Sequence, residues 1–150
     1  MDYTLELIVV PVSDVDRAKA FYIDQAGFGL EVDTSNGPDF RVVQLTPPGS
    51  ACSIAIGTGI GQMEPGSLHG LHLCVQDIEA AREELVGRGT KVGEIFHFGE
   101  TGQASGVDPE RRSYASFMPF NDPDGNTWLI QEVKRGWVLK QVKREEAAIA

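Results

Sequence analysis

Residues 5–32 read LELIVVPVSDVDRAKAFYIDQAGFGLEV, and residues 68–95 read LHGLHLCVQDIEAAREELVGRGTKVGEI. In each stretch an apolar run ends at an aspartate, Asp14 or Asp77. A helical pattern follows, a glycine closes it, and another strand-like run begins. Internal repetition of this kind indicates two similar structural modules, and it decides the architecture before any single motif does.

Both helices carry start and stop signals. Ser13 or Asp14 can cap the first helix, and Asp77 can cap the second, because a short oxygen-bearing side chain accepts from free amides there. Glycines supply the C-terminal stops, Gly27 for the first helix and Gly87 or Gly89 for the second. Apolar residues recur at helical spacing, namely Val15, Ala18, Phe21 and Tyr22, then Ile78, Ala81 and Leu85.

Short β-like runs surround the helices and end at the turn clusters SNGPD, TPPGS and NDPDGN. The sequence predicts one α+β domain over residues 1–133, with β-α-β-β-β modules at about 4–57 and 69–133 and a linker at 58–68. Residues 98–112 form a long polar loop, either a lid or a disordered segment. The tail 134–150 has helix-forming residues. The strands predicted between and after the helices are 30–34, 40–46, 52–57, 92–98, 113–120 and 127–133.

Charge and cysteine content narrow the function classes. The chain of 150 residues has a net charge of −9; residues 134–150 carry +3, so the rest carries −12. Such an acidic body repels phosphate backbones, which argues against nucleic acid and is compatible with a cationic ligand. Only Cys52 and Cys74 are present. We therefore expect a reduced, cytoplasmic protein. The N-terminus shows no signal-peptide pattern, and no apolar run is long enough to span a membrane.

The repeated plan, with PVSDVDRAKAFYIDQAGF in the first half and FNDPDGNTWLIQE ending the second, resembles the vicinal oxygen chelate superfamily. That superfamily includes glyoxalase I, bleomycin-resistance proteins, extradiol dioxygenases and fosfomycin-resistance enzymes. The resemblance covers residues 4–133, and the D-P-D-G-N turn at 122–126 is its most specific piece. It implies two curved sheets that face each other around a central cavity, and it implies a homodimer. In metal-dependent members a divalent ion lies in that cavity.

The positions that match the family's metal ligands carry no donor in this chain. They fall on Leu7, Gly70 and Leu129, and the strand from Ser53 to Ile56 adds neither carboxylate nor imidazole. A divalent ion needs several converging donors. Strand alternation directs the neighbouring Glu6 and Glu132 to the opposite faces. We therefore expect a member without metal or other cofactor.

A ligand cavity remains after the metal site is removed. Alternation places Gly70, His72 and Cys74 on one face and turns His69 away. Apolar walls with a few polar handles suit a small organic molecule. His97 is expected either at the cavity mouth or as a partly exposed histidine of its strand. The predicted ligand-binding residues are Leu7, Val9, Gly70, His72, Cys74, His97, Leu129 and Gln131.

Three functions stay open on the sequence alone. The first is a metal-free protein that sequesters an antibiotic-like metabolite, as the bleomycin-resistance type does. The second is a metal-free lyase or isomerase, for example in secondary metabolism, with His72 as acid or base and Tyr114 assisting. A metal-dependent glyoxalase or dioxygenase is disfavoured by the missing ligands. The alternative to a catalytic role for His72 is that it only forms a hydrogen bond to the ligand or to the backbone.

Overall fold

The structure is a computed structural model, and it describes residues 1–134 and 148–149. The fold is α+β, as predicted, with one four-stranded and one five-stranded sheet. Contacts divide the chain into two compact units. Within the described part of the chain, every helix is too short or too polar to cross a membrane. The predicted helical tail falls outside the described residues, apart from its first residue and residues 148–149.

The first unit comprises Met1–His69, Arg88–Thr90 and Asn121–Thr127. Its sheet has the order β1-β4-β3-β2, with β1 parallel to β4 and the other pairs antiparallel. The helical segment continues into a π-helical turn at Phe21–Gln25. The elements are β1 (Leu7–Val9), α1 (Val15–Ala20), β2 (Gly29–Ser35), β3 (Arg41–Thr46) and β4 (Ser53–Thr58).

Helix α1 begins at the predicted cap and buries the predicted face. The Asp14 carboxylate accepts from the Arg17 amide at 3.0 Å, which satisfies an otherwise free donor of the first turn. Ala18, Phe21 and Tyr22 are buried, as are Val43, Leu45, Ile54 and Ile56 on one face of the sheet. Gly27 ends the helical segment with φ +78°, a conformation that L side chains rarely adopt.

The turn Asp122–Asn126 is a buried hydrogen-bond hub inside the first unit. One oxygen of the Asp122 carboxylate accepts from the Tyr22 hydroxyl at 2.8 Å and from the Asn126 side-chain amide at 2.7 Å. The other oxygen accepts from the backbone amides of Asp124 and Asn126 at 3.0 and 2.9 Å. The Asn126 side-chain amide also donates to the Pro11 carbonyl at 2.7 Å. The turn therefore joins the π-helical turn after α1 and the segment after β1 in one network.

The linker between the modules is also attached to this turn. The Gly66 amide donates to the Pro11 carbonyl at 3.1 Å, and the Leu68 amide donates to the Asn126 side-chain oxygen at 3.0 Å. A Cβ atom at Gly66 would lie 2.1 Å from the Asp124 carbonyl oxygen, so only glycine allows the chain to pass this closely.

The second unit comprises Gly70–Gly87, Lys91–Phe120 and the described residues from Trp128 onward. Its sheet has the order β5-β9-β8-β6-β7, with β5 parallel to β9. Asp77 caps α2, as predicted, by accepting from the Glu79 and Ala80 amides at 3.1 Å each. The elements are β5 (Leu71–Val75), α2 (Ile78–Gly87), β6 (Phe96–Gly99), β7 (Gly102–Ser105), β8 (Ser116–Asn121) and β9 (Thr127–Glu132).

The second module differs from the predicted β-α-β-β-β plan by one strand. Residues 98–112, predicted to be a loop, contain β7, which pairs with β6 as an antiparallel hairpin. The strand predicted over 92–98 is shorter, because only the isolated bridge between Val92 and Phe120 precedes β6. The strand predicted from Ser113 begins at Ser116, after two residues with positive φ, Arg111 and Tyr114.

Candidate functional site

The five-stranded sheet has one buried face and one open face. In β9, Trp128, Ile130 and Glu132 are buried, whereas Leu129 and Gln131 are half-buried. The Glu132 carboxylate accepts from the Ile78 amide at 3.0 Å, so the buried face is the one that α2 covers. Side chains alternate between faces along a strand, which leaves Leu129 and Gln131 on the side away from α2.

Strand pairing places two more predicted residues on this open face. His72 pairs with Leu129, and Cys74 pairs with Gln131. The Gln131 side-chain amide donates to the Cys74 sulfur at 3.5 Å, and His72 is exposed. An imidazole and a primary amide can both donate and accept hydrogen bonds. The polar half of the open face therefore offers neutral hydrogen-bonding groups.

Three phenylalanines form the other half of the open face. The Phe120 ring stacks on Trp128 at 5.8 Å on the buried side, so Phe117, three residues earlier in β8, projects to the open side. Phe96 pairs with Phe117 across the sheet. Ring centroids lie 5.5 Å apart for Phe96 and Phe117, 5.9 Å for Phe98 and Phe117, and 5.8 Å for Phe96 and Phe98. Phe98 is 61% exposed.

Sequence reasoning missed this cluster, although F-H-F at 96–98 already showed two aromatic residues on one strand face. We use "open face" below for the residues that share this side of the second sheet. They are His72, Cys74, Phe96, Phe98, Phe117, Pro119, Leu129 and Gln131.

His97 does not share the open face of the second sheet. It pairs with Ser116, which is buried on the α2 side. Its Nδ1 atom donates to the Gly106 carbonyl at 2.8 Å, since a carbonyl only accepts. The physical reason is the alternation of side chains along β6. Phe96 and Phe98 project to the open side, so His97 between them projects to the other side.

Gly70 and Tyr114 lie outside the strands that carry the open face. Gly70 precedes β5 with φ +85°, and this backbone conformation accounts for the glycine without a ligand approaching it. Tyr114 is 47% exposed with φ +66°, and its backbone amide donates to the Glu132 carbonyl at 2.8 Å. Tyr114 therefore lies beside the end of β9, before β8 begins.

Leu7 and Val9 belong to the first sheet, on the face turned away from α1. They pair with Ser53 and Ala55, whereas the α1 side holds the buried Ile54 and Ile56. Gln44 shares the Ala55 side, and its amide donates to the carboxylates of Glu6 at 3.3 Å and Glu31 at 3.1 Å. Glu6 precedes β1, so the alternation of side chains along the strand does not fix its direction. The expectation that Glu6 lies on the face opposite to Leu7 is wrong.

The donor set does not fit the family's divalent metal. Leu7, Gly70 and Leu129 have no ligand atom, and Glu132 is fully buried on the α2 side in a bond to arginine. Glu6 and Glu31 are exposed and share one amide. Over residues 1–134 and 148–149, no three His, Cys, Asp or Glu side chains converge as a metal site requires.

Arg111 links the segment before β8 to α2 and β9. Its guanidinium donates to the Glu132 carboxylate at 2.9 and 2.6 Å and to Glu79 at 2.7 Å. This bidentate bond lowers the pKa of Glu132 below its ordinary value of 4.5, against the opposing effect of burial. Arg112, whose side chain is mostly exposed, makes a second bidentate pair with the buried Asp108 at 3.0 and 2.7 Å.

Acidic pH is expected to destabilise the protein through carboxylates that are paired with arginine or lysine. Hydrogen bonds from Arg41 and then Lys19 lower the pKa of Asp33, and one from Arg112 lowers that of Asp108. A carboxylate with a lowered folded-state pKa stabilises the protein above its unfolded pKa of about 4, and the contribution is lost as pH falls toward the folded value. Urea unfolding should therefore give a lower midpoint at pH 3 than at pH 7.

The Asp33→Asn variant provides the control for this pH dependence. It removes one of the titrating groups, so its stability should fall less than the wild-type stability between pH 7 and pH 3. An equal fall in both proteins would contradict the role given to the Asp33 ion pairs with Lys19 and Arg41.

Comparison with known proteins agrees with this fold. The chain is 32% identical to TnmS3, an antibiotic binding protein from Streptomyces sp. CB03234, over 88% of this chain and 97% of that one, with a TM-score of 0.67. It is also 32% identical to a glyoxalase/bleomycin resistance protein from the same strain, over 86% and 100% of the two chains, with a TM-score of 0.64. YetH of Bacillus subtilis (strain 168) is 24% identical over 129 residues, 83% of this chain and 94% of YetH.

The resemblance inferred from the repeated modules and the D-P-D-G-N turn is thereby confirmed. The family model that matches spans residues 4–130, nearly the same range as the two repeated modules. The chain belongs to the Glyoxalase/Bleomycin resistance protein/Dioxygenase superfamily.

Proposed function

We propose that the protein binds a small organic molecule without a metal ion. One observation carries this proposal: the open face combines half-buried apolar side chains, an exposed phenylalanine and a few neutral polar groups. Mostly apolar surfaces with a small number of placed polar groups are typical of sites for organic ligands. The absence of donor side chains at positions 7, 70 and 129 supports the metal-independent part.

An antibiotic-like metabolite is the ligand class we propose. TnmS3, similar over most of the chain, is described as an antibiotic binding protein, and this likeness supports the proposal for the present chain. Leu7 and Val9 are proposed separately as ligand-binding residues of the first unit. A cationic group on the ligand would be favoured by the overall charge of −9.

The setting we propose is a cytoplasmic homodimer. Cys52 and Cys74 are not joined in a disulfide, which suits a reducing compartment. The dimer rests on the family resemblance, and light scattering after size-exclusion chromatography measures it directly. A mass equal to one chain at micromolar concentration would remove this part of the proposal.

Catalysis without metal is the second candidate function, and the exposure of His72 on the open face favours it. A lyase or isomerase would use His72 as acid or base, because an imidazole can both donate and accept a proton. The His72→Ala variant separates the two candidates. Binding should persist within a few-fold in both cases, so the difference lies in turnover. A sequestering protein has no turnover to lose, whereas an enzyme loses its turnover in the variant.

The proposed function is tested by two measurements on the full chain. Metal analysis of protein purified without chelator should find no stoichiometric divalent ion. Native mass spectrometry with a panel of antibiotics should show a one-to-one adduct, and amide chemical shifts should move in β5, β8 and β9 on its addition. A bound divalent ion, or shifts confined to other segments, would contradict the proposal.

A further inference from the structure

We propose that Asn36, in the turn between β2 and β3, is a site of spontaneous deamidation to isoaspartate and aspartate. This modification goes beyond the proposed function and does not depend on it. The site lies within the first unit, on residues 36–40, which connect two antiparallel strands. Gly37 follows Asn36, and a glycine leaves its own backbone nitrogen less hindered than any other residue does.

The reaction needs only the chain itself and water. The Gly37 nitrogen loses its proton and forms a bond to the Asn36 Cγ atom, and the side-chain amide nitrogen leaves as ammonia. Because both reacting groups belong to adjacent residues, ring closure is intramolecular. Water then opens the five-membered succinimide. Attack at Cγ gives aspartate, and attack at the backbone carbonyl carbon gives isoaspartate, in which the main chain runs through the former side chain.

The attacking nitrogen is accessible. Among residues 1–134 and 148–149, no hydrogen-bond acceptor is paired with the Gly37 amide. A Cβ atom at Gly37 would meet no other atom within 4 Å, so the space around this residue is open. Its φ of +73° is a conformation that glycine adopts without steric cost.

The Asn36 side chain is equally accessible. It is exposed, as are the four residues that follow it, and its amide group forms no hydrogen bond within the part of the chain that the structure describes. An exposed side chain can rotate its Cγ atom toward the next backbone nitrogen without losing a contact. The water that opens the ring is present at the same surface.

The other two asparagines of the sequence are held back by their surroundings. Asn121 is exposed, but the amide that follows it, on Asp122, donates to the Asn126 carbonyl at 3.0 Å. Asn126 is fully buried, and its side-chain amide donates to the Pro11 carbonyl and to the Asp122 carboxylate at 2.7 Å each. The structure therefore selects Asn36 among the three.

The pair Asp124 and Gly125 is a sharper comparison, because an aspartate before glycine can close the same ring. The Asp124 side chain is 7% exposed, and its carboxylate accepts from the Ser13 amide at 3.1 Å and from the Arg17 guanidinium at 3.3 Å. The Gly125 amide donates to the Asp122 carbonyl at 3.0 Å. Both reacting groups are engaged, so we expect this pair to stay unmodified in the folded protein.

Deamidation changes the turn in two ways. The product carries a new carboxylate, which makes the net charge of −9 more negative by one. Isoaspartate also adds a methylene group to the main chain between residues 36 and 37. The Asn36 amide now closes the turn by donating to the Phe40 carbonyl at 3.0 Å, and a longer main chain within that closed turn disturbs this bond.

Peptide mapping of the full chain, incubated at pH 8 and 37 °C, tests the inference. Trypsin places Asn36 in the peptide 20–41, and it places Asn121, Asn126 and Asp124 together in the peptide 113–134. Mass spectrometry should show that the peptide 20–41 exchanges an NH₂ for an OH group and contains isoaspartate at position 36. The peptide 113–134 should keep its mass and contain no isoaspartate. The conversion should be faster at higher pH, because the attacking nitrogen must lose its proton.

Two controls make the outcome decisive. In Asn36→Gln the same attack would need a six-membered ring, so the mass change should disappear from the peptide 20–41. A synthetic peptide of residues 20–41 gives the rate without the fold, and Asn36 in the folded protein should react within about tenfold of it, a barrier difference of about 1.4 kcal/mol. A slower reaction in the folded protein would overturn the proposal. Modification of the peptide 113–134 at the rate of 20–41 would overturn it as well, since the fold would then select no site.

Discussion

Replacement of Asp122 by alanine is expected to lower the free energy of unfolding by about 3 kcal/mol. The carboxylate is 5% exposed and accepts from the Tyr22 hydroxyl, the Asn126 side chain and two backbone amides. A hydrogen bond to a charged group contributes about 1.5–3 kcal/mol, and each buried donor left without a partner adds a desolvation penalty. Urea unfolding followed by circular dichroism measures the change.

Two further variants isolate the hydrogen bonds from the turn itself. Asp122→Asn keeps one acceptor oxygen for the backbone amides but presents an amide group to Tyr22 or Asn126, so about half of the loss should remain. Asn121→Ala changes the exposed residue that ends β8, just before the turn, and should stay within about 0.5 kcal/mol of wild type. Equal stability of Asp122→Ala and Asn121→Ala would refute the buried network.

Arg111→Ala is expected to destabilise the protein by about 3 kcal/mol. The change leaves the fully buried Glu132 carboxylate without its bidentate partner, with the Ile78 amide still donating. Removing one partner of a buried pair costs about 3–5 kcal/mol, and the partial exposure of Arg111 places the loss at the lower end. Thermal or urea unfolding at pH 7 checks the value.

The double variant Arg111→Ala/Glu132→Gln should recover part of this stability, because a buried neutral amide is less costly than a buried unpaired carboxylate. The matched control is Arg82→Ala, whose partner Glu94 is 85% exposed. It should change stability by less than about 1 kcal/mol, as exposed ion pairs do. A double variant less stable than Arg111→Ala would show that the charge of Glu132 is satisfied by other groups.

Local signals predicted most of the fold. The caps Asp14 and Asp77 and the repeated apolar runs depend on residues close in sequence, and the structure confirms both caps. Period-two alternation also predicted that His72 and Cys74 share one side of β5, because that relation needs only the direction of successive side chains. The repeat then supplied the two-module plan.

The features of the fold that were not predicted from the sequence depend on how strands pair. Whether His97 or its flanking phenylalanines face the open side is set by the pairing of Phe96 with Phe117, and no local pattern fixes that register. The hairpin strand β7 is short and rich in Gly, Ser and Gln, so its sequence resembles a loop. Glu6 reached the same side as Leu7 because it lies before the strand, where alternation no longer holds.

The D-P-D-G-N turn shows the same limit. Its sequence predicts a tight turn, and Gly125 adopts the positive φ of +95° that such a turn uses. Its partners Tyr22 and Pro11 lie about a hundred residues earlier in the chain. The tertiary fold brings these partners to the turn, so they cannot be predicted from the sequence of the turn alone.

The attachment of the linker at Gly66 and Leu68 has a practical consequence for protein engineering. An affinity tag or fluorescent reporter placed near these residues would pull apart the bonds to Pro11 and Asn126, although a glycine-rich connector looks like the natural place for it. The β2–β3 turn is the better choice. A Cβ at Gly37 would meet no atom within 4 Å, and its neighbours are exposed.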